Sequence, residues 1–156
     1  MEAVDEVAKV DPLRSLERRG EGPAVLVLGV PLDAMPDGYR FLGLDGRGLD
    51  GLDGDRRLGE AIEALGLESP VIVVAGHLAS TALRLTLRDP WRVGGLAMLF
   101  APDPGRPAGV SMRATLDPLG VPLVLLPLAG AIAAAMERVA LGAFLDTCHR
   151  DVARTR

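Results

Sequence analysis

Cysteine, lysine and aromatic residues are scarce in this chain of 156 residues. Cys148 is the only cysteine, which excludes an internal disulfide and any zinc site built from several cysteines. Aromatic residues make up 3% of the chain and hydrophobic residues 49%, so the predicted core is mostly aliphatic. Lys9 is the only lysine, and the net charge of −4 leaves no basic footprint, so we expect no nucleic-acid partner.

The chain also lacks an uninterrupted apolar segment of the kind that is typical of a signal peptide or a membrane span. Residues 1–20 carry charges throughout, so we expect a cytoplasmic protein. Pro118–Met136 is uncharged over a length that could cross a bilayer, but prolines and glycines interrupt it. A buried strand that leads into a helix explains this segment with less strain, so we expect no membrane partner.

The most informative stretch is Ser69–Asp89, which predicts a strand, a sharp turn and a helix. Val71–Ala75 is a short β-branched run, typical of a strand that is buried on both faces. The predicted helix follows Gly76 with no room for a loop, and small residues at 76, 79 and 80 would let the two elements approach closely. In this interpretation Ser80 is a small packing residue. This layout is that of a nucleophile elbow, and the position it lifts above the sheet is Leu78, which has no nucleophilic atom.

The other segments alternate between strands and helices in one domain over residues 1–156. We predict strands at Ala24–Leu28, Tyr39–Leu44, Leu96–Phe100 and Val121–Leu128, and helices at about Asp55–Leu65 and Ile132–Cys148. The inward side of the last helix is predicted to hold Ile132, Met136, Val139, Ala143 and Phe144. Residues 1–20 fit either a β-hairpin around Asp11-Pro12 or a helix over Glu2–Lys9, and the tail 151–156 is expected to fray.

These elements predict an α/β fold with a mostly parallel sheet and helices on both faces. Ligand sites in such sheets lie beyond the carboxyl ends of the strands. The rim there would collect Gly29-Val30, Asp45–Gly51, His77-Leu78, Ala101–Asp103 and Ala129–Ala131. The candidate pocket residues are accordingly Gly29, Val30, His77, Leu78, Asp103 and Ala131.

The order of motifs resembles the α/β-hydrolase fold superfamily over nearly the whole chain. Five motifs carry this resemblance. They are Arg18–Pro23 before an apolar strand, the Leu28–Pro31 turn, the Asp45–Gly48 loop, Ala75–His77 with Asp89–Val93, and Leu126–Ala131 with Met136–Val139 and Phe144-Leu145. The resemblance implies a truncated, lidless version of that fold. It also implies that Leu78 stands at the nucleophile position, Ala131 at the general base, Leu28 at the histidine of the oxyanion turn, and Asp103 at the acid.

Two further motifs admit other interpretations. Gly46–Gly51 fits G-x-G-x-x-G after a strand, but a dinucleotide site needs a helix that opens within the motif, and the surrounding aspartates would repel phosphate. Those aspartates do not match an EF-hand and are better explained by turn and helix-cap chemistry, so we expect neither a metal nor a cofactor. Cys148 and His149 are adjacent on a helix and point about 100° apart, which disfavours a catalytic dyad.

In a catalytic triad the acid orients the histidine, so Asp103 would have no partner without one. Leucine at position 78 and alanine at position 131, in place of the serine and the histidine, therefore argue against catalysis. The leading hypothesis is a pseudo-hydrolase without catalytic residues. It would bind a small apolar ligand at the rim or form a homodimer through a less covered sheet. The alternative hypothesis is a weak hydrolase or esterase that uses Ser80, His77 and Asp103.

Overall fold

The computed structural model describes residues 13, 16–30, 32, 35–49, 51–100, 121–127 and 141–149, with only the backbone at 77, 100 and 124–127. The strands are β1 (Glu17–Arg19), β2 (Ala24–Leu28), β3 (Arg40–Leu44), β4 (Val71–Ala75), β5 (Gly95–Phe100) and β6 (Leu123–Pro127). The α-helices are α1 (Gly54–Ala64), α2 (Ala79–Arg88) and α3 (141–149). Short 3₁₀ helices span Gly46–Gly48, Gly76–Leu78 and Pro90–Arg92.

The strands form one sheet in the order β1-β3-β2-β4-β5-β6. The β3-β2-β4-β5-β6 neighbours are parallel, and only β1 runs antiparallel, against β3. Parallel strands are joined by crossover connections, and α1 and α2 lie in the connections from β3 to β4 and from β4 to β5, on the same face of the sheet. The predicted α/β fold with a mostly parallel sheet is therefore confirmed.

Side chains alternate between two apolar layers, one on each face of the sheet. Leu26, Ile72 and Leu96 belong to the layer under α1 and α2. Val25, Val73 and Ala97 belong to the layer under α3. Because every residue of β4 is buried, this strand contributes to both layers. The predicted coverage of both faces by helices is confirmed.

The helices α1 and α2 lie side by side and are tied together by arginine. The carboxylate of Asp55 on α1 accepts from Arg88 on α2 at 2.8 Å. Arg92, just after α2, donates to the Gly59 carbonyl at 3.2 Å and pairs with Glu63 at 2.5 Å. On its inner face α1 buries Leu58, Ala61 and Ile62, as the helical spacing of these residues predicts.

The C-terminal helix α3 covers the opposite layer with a different face from the one predicted. Leu141, Leu145 and Cys148 are buried, whereas Ala143 is exposed and Phe144 is half-buried. The assignment of Ala143 to the inward face is therefore wrong, because a stripe through 141, 145 and 148 leaves 143 on the other side of the helix. Tyr39, just before β3, donates a hydrogen bond to Asp146 and ties α3 to the sheet.

Several predictions concern residues outside the described part of the chain. Glu17–Arg19 of the proposed hairpin is a strand, and it pairs with β3. The other arm of the hairpin, the competing helix Glu2–Lys9, the start of the last helix and the tail 151–156 lie outside the described residues. Leu123–Pro127 confirms the strand predicted within the uncharged segment. No helix in the described ranges is long and apolar enough to cross a membrane. The cytoplasmic location stays a prediction.

The contact between α3 and β5 depends on a glycine. A Cβ atom at position 95 would lie 2.7 Å from the Sγ atom of Cys148. We expect Gly95→Ala to lower the free energy of unfolding by about 1–3 kcal/mol, because it overpacks this contact. The same substitution in a Cys148→Ala background removes the clashing sulfur and should cost less. Urea unfolding of the four proteins in this cycle measures the coupling, and strictly additive losses would contradict the described packing.

Candidate functional site

Three loops meet where the central parallel strands end. Gly29 follows β2, Asp45 and Gly46 follow β3, and Gly76–Leu78 follows β4. The register places Leu28 beside Leu44 and Val74, so the three strands end at the same level. This edge of the sheet is the place where a parallel α/β fold presents a ligand site.

The turn from β4 into α2 is as tight as the sequence predicts. The strand ends at Ala75, a 3₁₀ turn covers Gly76–Leu78, and α2 begins at Ala79. The left-handed conformation in this turn belongs to Gly76, with φ +67°, a region in which a side chain is costly. Leu78 has an ordinary helical backbone, with φ −74° and ψ −12°. The turn is therefore relaxed at Leu78, the position that the resemblance assigns to a nucleophile.

The side chain of Leu78 fills the space between the three loops. It is 3% exposed and belongs to the apolar layer under α1 and α2. A Cβ atom added to Gly46 would lie 2.6 Å from Leu78 Cδ1, and one added to Gly29 would lie 3.4 Å from the same atom. The two glycines thus let the backbone close over the leucine, and the leucine acts as a hydrophobic plug at the end of β4.

The loop after β3 is held in place by its own charged residues and by α2. Asp45 accepts hydrogen bonds from the Arg47 backbone at 3.0 Å and from its guanidinium at 2.8 and 3.1 Å. The hydrogen bonds and negative charge of Asp45 raise the pKa of Arg47 above its ordinary value. On the inner side, the buried hydroxyl of Thr81 donates to the Leu49 carbonyl at 3.0 Å. The loop is therefore anchored to the helix that carries the plug.

The structure brings together only part of the predicted site. Leu78 lies against Gly29, while Val30 is half-buried and packs toward the opposite layer. His77 is placed by its backbone within the 3₁₀ turn, and Asp103 and Ala131 lie outside the described residues. A pocket formed by all six residues stays a prediction. Ser80 is exposed on α2, so the interpretation that it packs between the strand and the helix is wrong.

The glycine-rich loop takes the form expected from turn chemistry. Asp45 caps the 3₁₀ helix Gly46–Gly48, and α1 begins only at Gly54. A pyrophosphate site requires an α-helix that begins within the motif, and here α1 begins three residues after Gly51. Asp53 precedes α1 but makes no side-chain cap bond, so the capping expected of the aspartates holds at Asp45 and not there. Among the described residues no group of three or more His, Cys, Asp or Glu could hold a metal ion.

A cavity that the sequence does not predict lies at the opposite end of the sheet, where the strands begin. The cavity has a volume of about 210 Å³ and is lined by Pro23, Ala24, residues 67–71, Gly94, Cys148 and His149. These segments are far apart along the chain and meet only because β2, β4 and β5 are neighbours and α3 ends beside them. Cys148 and His149 are both among the lining residues, but their adjacency in the sequence does not by itself indicate a cavity.

No protein-family model and no curated protein matches the chain. Solved structures do. An epoxide hydrolase from Vigna radiata is 22% identical over 64% of this chain and 41% of its own, with a TM-score of 0.43. Epoxide hydrolase A from Mycobacterium thermoresistibile is 22% identical over 64% and 40%, with a TM-score of 0.40. A protein described as an ancestral haloalkane dehalogenase is 25% identical over 67% and 48%, with a TM-score of 0.45.

These structural neighbours are α/β-hydrolase enzymes, and the match spans less than half of each one. The likeness is partial, and the sequence identity is 25% or lower in each case.

The packing of Leu78 predicts a large loss of stability on truncation. Leu78→Ala should lower the free energy of unfolding by about 2–5 kcal/mol, because it opens a cavity among the three loops. Leu87→Ala is the matched control, since Leu87 lies on the same helix and is 44% exposed. It should cost less than about 1 kcal/mol. Equal losses in urea unfolding would show that Leu78 is not a buried plug.

Proposed function

We propose that this chain is a non-catalytic, α/β-hydrolase-like protein that serves as a small-ligand binding or oligomerisation module. The observation that carries the proposal is the plug at the end of β4. Leu78 is buried against the loops of Gly29 and Gly46, where a hydrolase of this fold would need an accessible nucleophile. Leucine offers no atom that can attack a substrate, and its side chain occupies the space that a substrate would need.

The backbone supports the same conclusion independently of the side chain. A nucleophile elbow holds its nucleophile in a strained turn, and here the unusual φ belongs to Gly76, two residues earlier. Restoring a serine at position 78 would supply a hydroxyl in a helical backbone conformation that does not present it. The side chain at position 78 and the geometry of the turn therefore both argue against a nucleophile there.

The alternative hypothesis of a weak hydrolase depends on Ser80. This residue is exposed on α2, two residues after Leu78. An exposed serine needs an adjacent base and an oxyanion hole to become a nucleophile. The described side chains include Ser80. The participation of His77 and Asp103 as base and acid stays a prediction.

Self-association is the second role within the proposal. Among the described strands, β6 pairs with a neighbour on one side only, through its ladder with β5. A strand with an unpaired side can extend a sheet into a second copy, and a two-fold dimer is the commonest result. Sedimentation equilibrium between 5 and about 200 µM tests this role. A concentration-dependent dimer supports it, and a monomer throughout leaves ligand binding as the function.

A fluorophosphonate probe tests the central claim. We expect no covalent labelling of the native protein and no hydrolysis of p-nitrophenyl esters above the rate of a Ser80→Ala control. Leu78→Ser, assayed after circular dichroism has verified its fold, should also remain unlabelled because the turn does not present its hydroxyl. Labelling that disappears in Ser80→Ala would favour the esterase, and labelling gained in Leu78→Ser would contradict the argument from the turn.

A further inference from the structure

The floor of the cavity at the beginning of the strands is apolar. Pro70, Val71 and Cys148 are buried lining residues, with Val71 3% and Cys148 2% exposed. The side chains of Val71 and Cys148 converge on Gly95, because a Cβ atom placed there would lie 3.5 Å from Val71 Cγ2 and 2.7 Å from Cys148 Sγ. A buried cysteine behaves as a small hydrophobic residue, so this floor offers a ligand apolar contact area.

Polar groups of the cavity walls already bond within the protein. The N–H of Gly94 donates to the Pro70 carbonyl at 3.0 Å, and the hydroxyl of Ser69 donates to the Trp91 carbonyl. The Nδ1 atom of His149 lies 2.7 Å from a backbone carbonyl oxygen one turn earlier in α3. A polar ligand would therefore compete with bonds that the fold itself makes, whereas an apolar ligand would not.

The charged part of the lining is exposed to solvent, and the cavity is small. Among the lining residues Glu68 is the only Asp, Glu, Lys or Arg, and it is exposed. The buried lining residues could not compensate a charge carried to the floor, so an uncharged ligand is favoured. A dry apolar cavity of about 150 Å³ holds benzene. The volume of this cavity is about 210 Å³, which suits a single hydrocarbon ring with a few further atoms.

We propose that this cavity binds a compact, uncharged molecule that is mostly hydrocarbon, of the size of a six-membered ring. Its apolar body lies on Val71 and Cys148, and a polar substituent points to the solvent beside Glu68 and Ser69. The inference rests on the small-ligand role within the proposed function. It gives that role a ligand class and a site at the opposite end of the sheet from Leu78.

Cyclohexanol and myo-inositol test the proposal on the unaltered protein. The two molecules share a six-membered carbon ring, but inositol carries a hydroxyl on every carbon atom. In ¹⁵N-labelled protein we expect saturable amide shifts with cyclohexanol, in the millimolar range, at residues 24, 67–69, 71, 94, 148 and 149. Inositol should produce no saturable shift at these positions. Equal binding of the two rings, or cyclohexanol shifts confined to other parts of the chain, would overturn the proposal.

A substitution that fills the cavity should remove the binding. Ala24→Leu should weaken cyclohexanol binding at least about tenfold, because Ala24 lines the cavity and the added carbon atoms would occupy part of its volume. Ala143→Leu is the matched control, since Ala143 is exposed on α3 and lies outside the lining. It should leave the dissociation constant unchanged. An equal effect of the two substitutions, or none at Ala24, would contradict the assignment.

The outcome for the cavity is separate from the outcome for catalysis. Covalent labelling by the fluorophosphonate would contradict the non-catalytic role without altering cyclohexanol binding at the other end of the sheet. Absence of cyclohexanol binding would overturn the cavity site and leave the argument from Leu78 in place. Because the comparison of the two rings uses the unaltered protein, it decides the question even if Ala24→Leu misfolds.

Discussion

The structure depends on the burial of both faces of β4. Val71–Ala75 lies in the middle of the described sheet, between β2 and β5, and its side chains enter both apolar layers. A strand of this kind cannot shift by one residue without exchanging the two layers, so its register is strongly determined. The turn at Gly76, the start of α2 and the position of Leu78 all follow from where this strand ends.

This constraint also explains why the two ends of the sheet differ. At the carboxyl end, α2 follows the strand at once, and Leu78 packs between the loops of Gly29 and Gly46. At the amino end, β2, β4 and β5 are entered from separate loops, and α3 ends against them. The gap between those loops remains open as a cavity.

Much of the fold was predictable, because local periodicity and buried runs are independent of distant contacts. The strands Ala24–Leu28 and Val71–Ala75 were predicted with the boundaries that they have, and α1 ends at the residue before Leu65, with Gly66 just beyond it. Faces of helices were harder to predict. Ala143 is exposed and Ser80 is not packed against the strand, because the side that a helix buries depends on the neighbour on which it lies.

By itself the sequence determined the α/β class, the tight turn after β4 and the leucine at position 78, since each rests on residue type and spacing along a short segment. Only the tertiary structure decided that this leucine is a buried plug, that the positive φ of the turn belongs to Gly76, and that a cavity opens beside Cys148 and His149. Those features arise from residues that are distant in the chain and become neighbours only through the order of the strands.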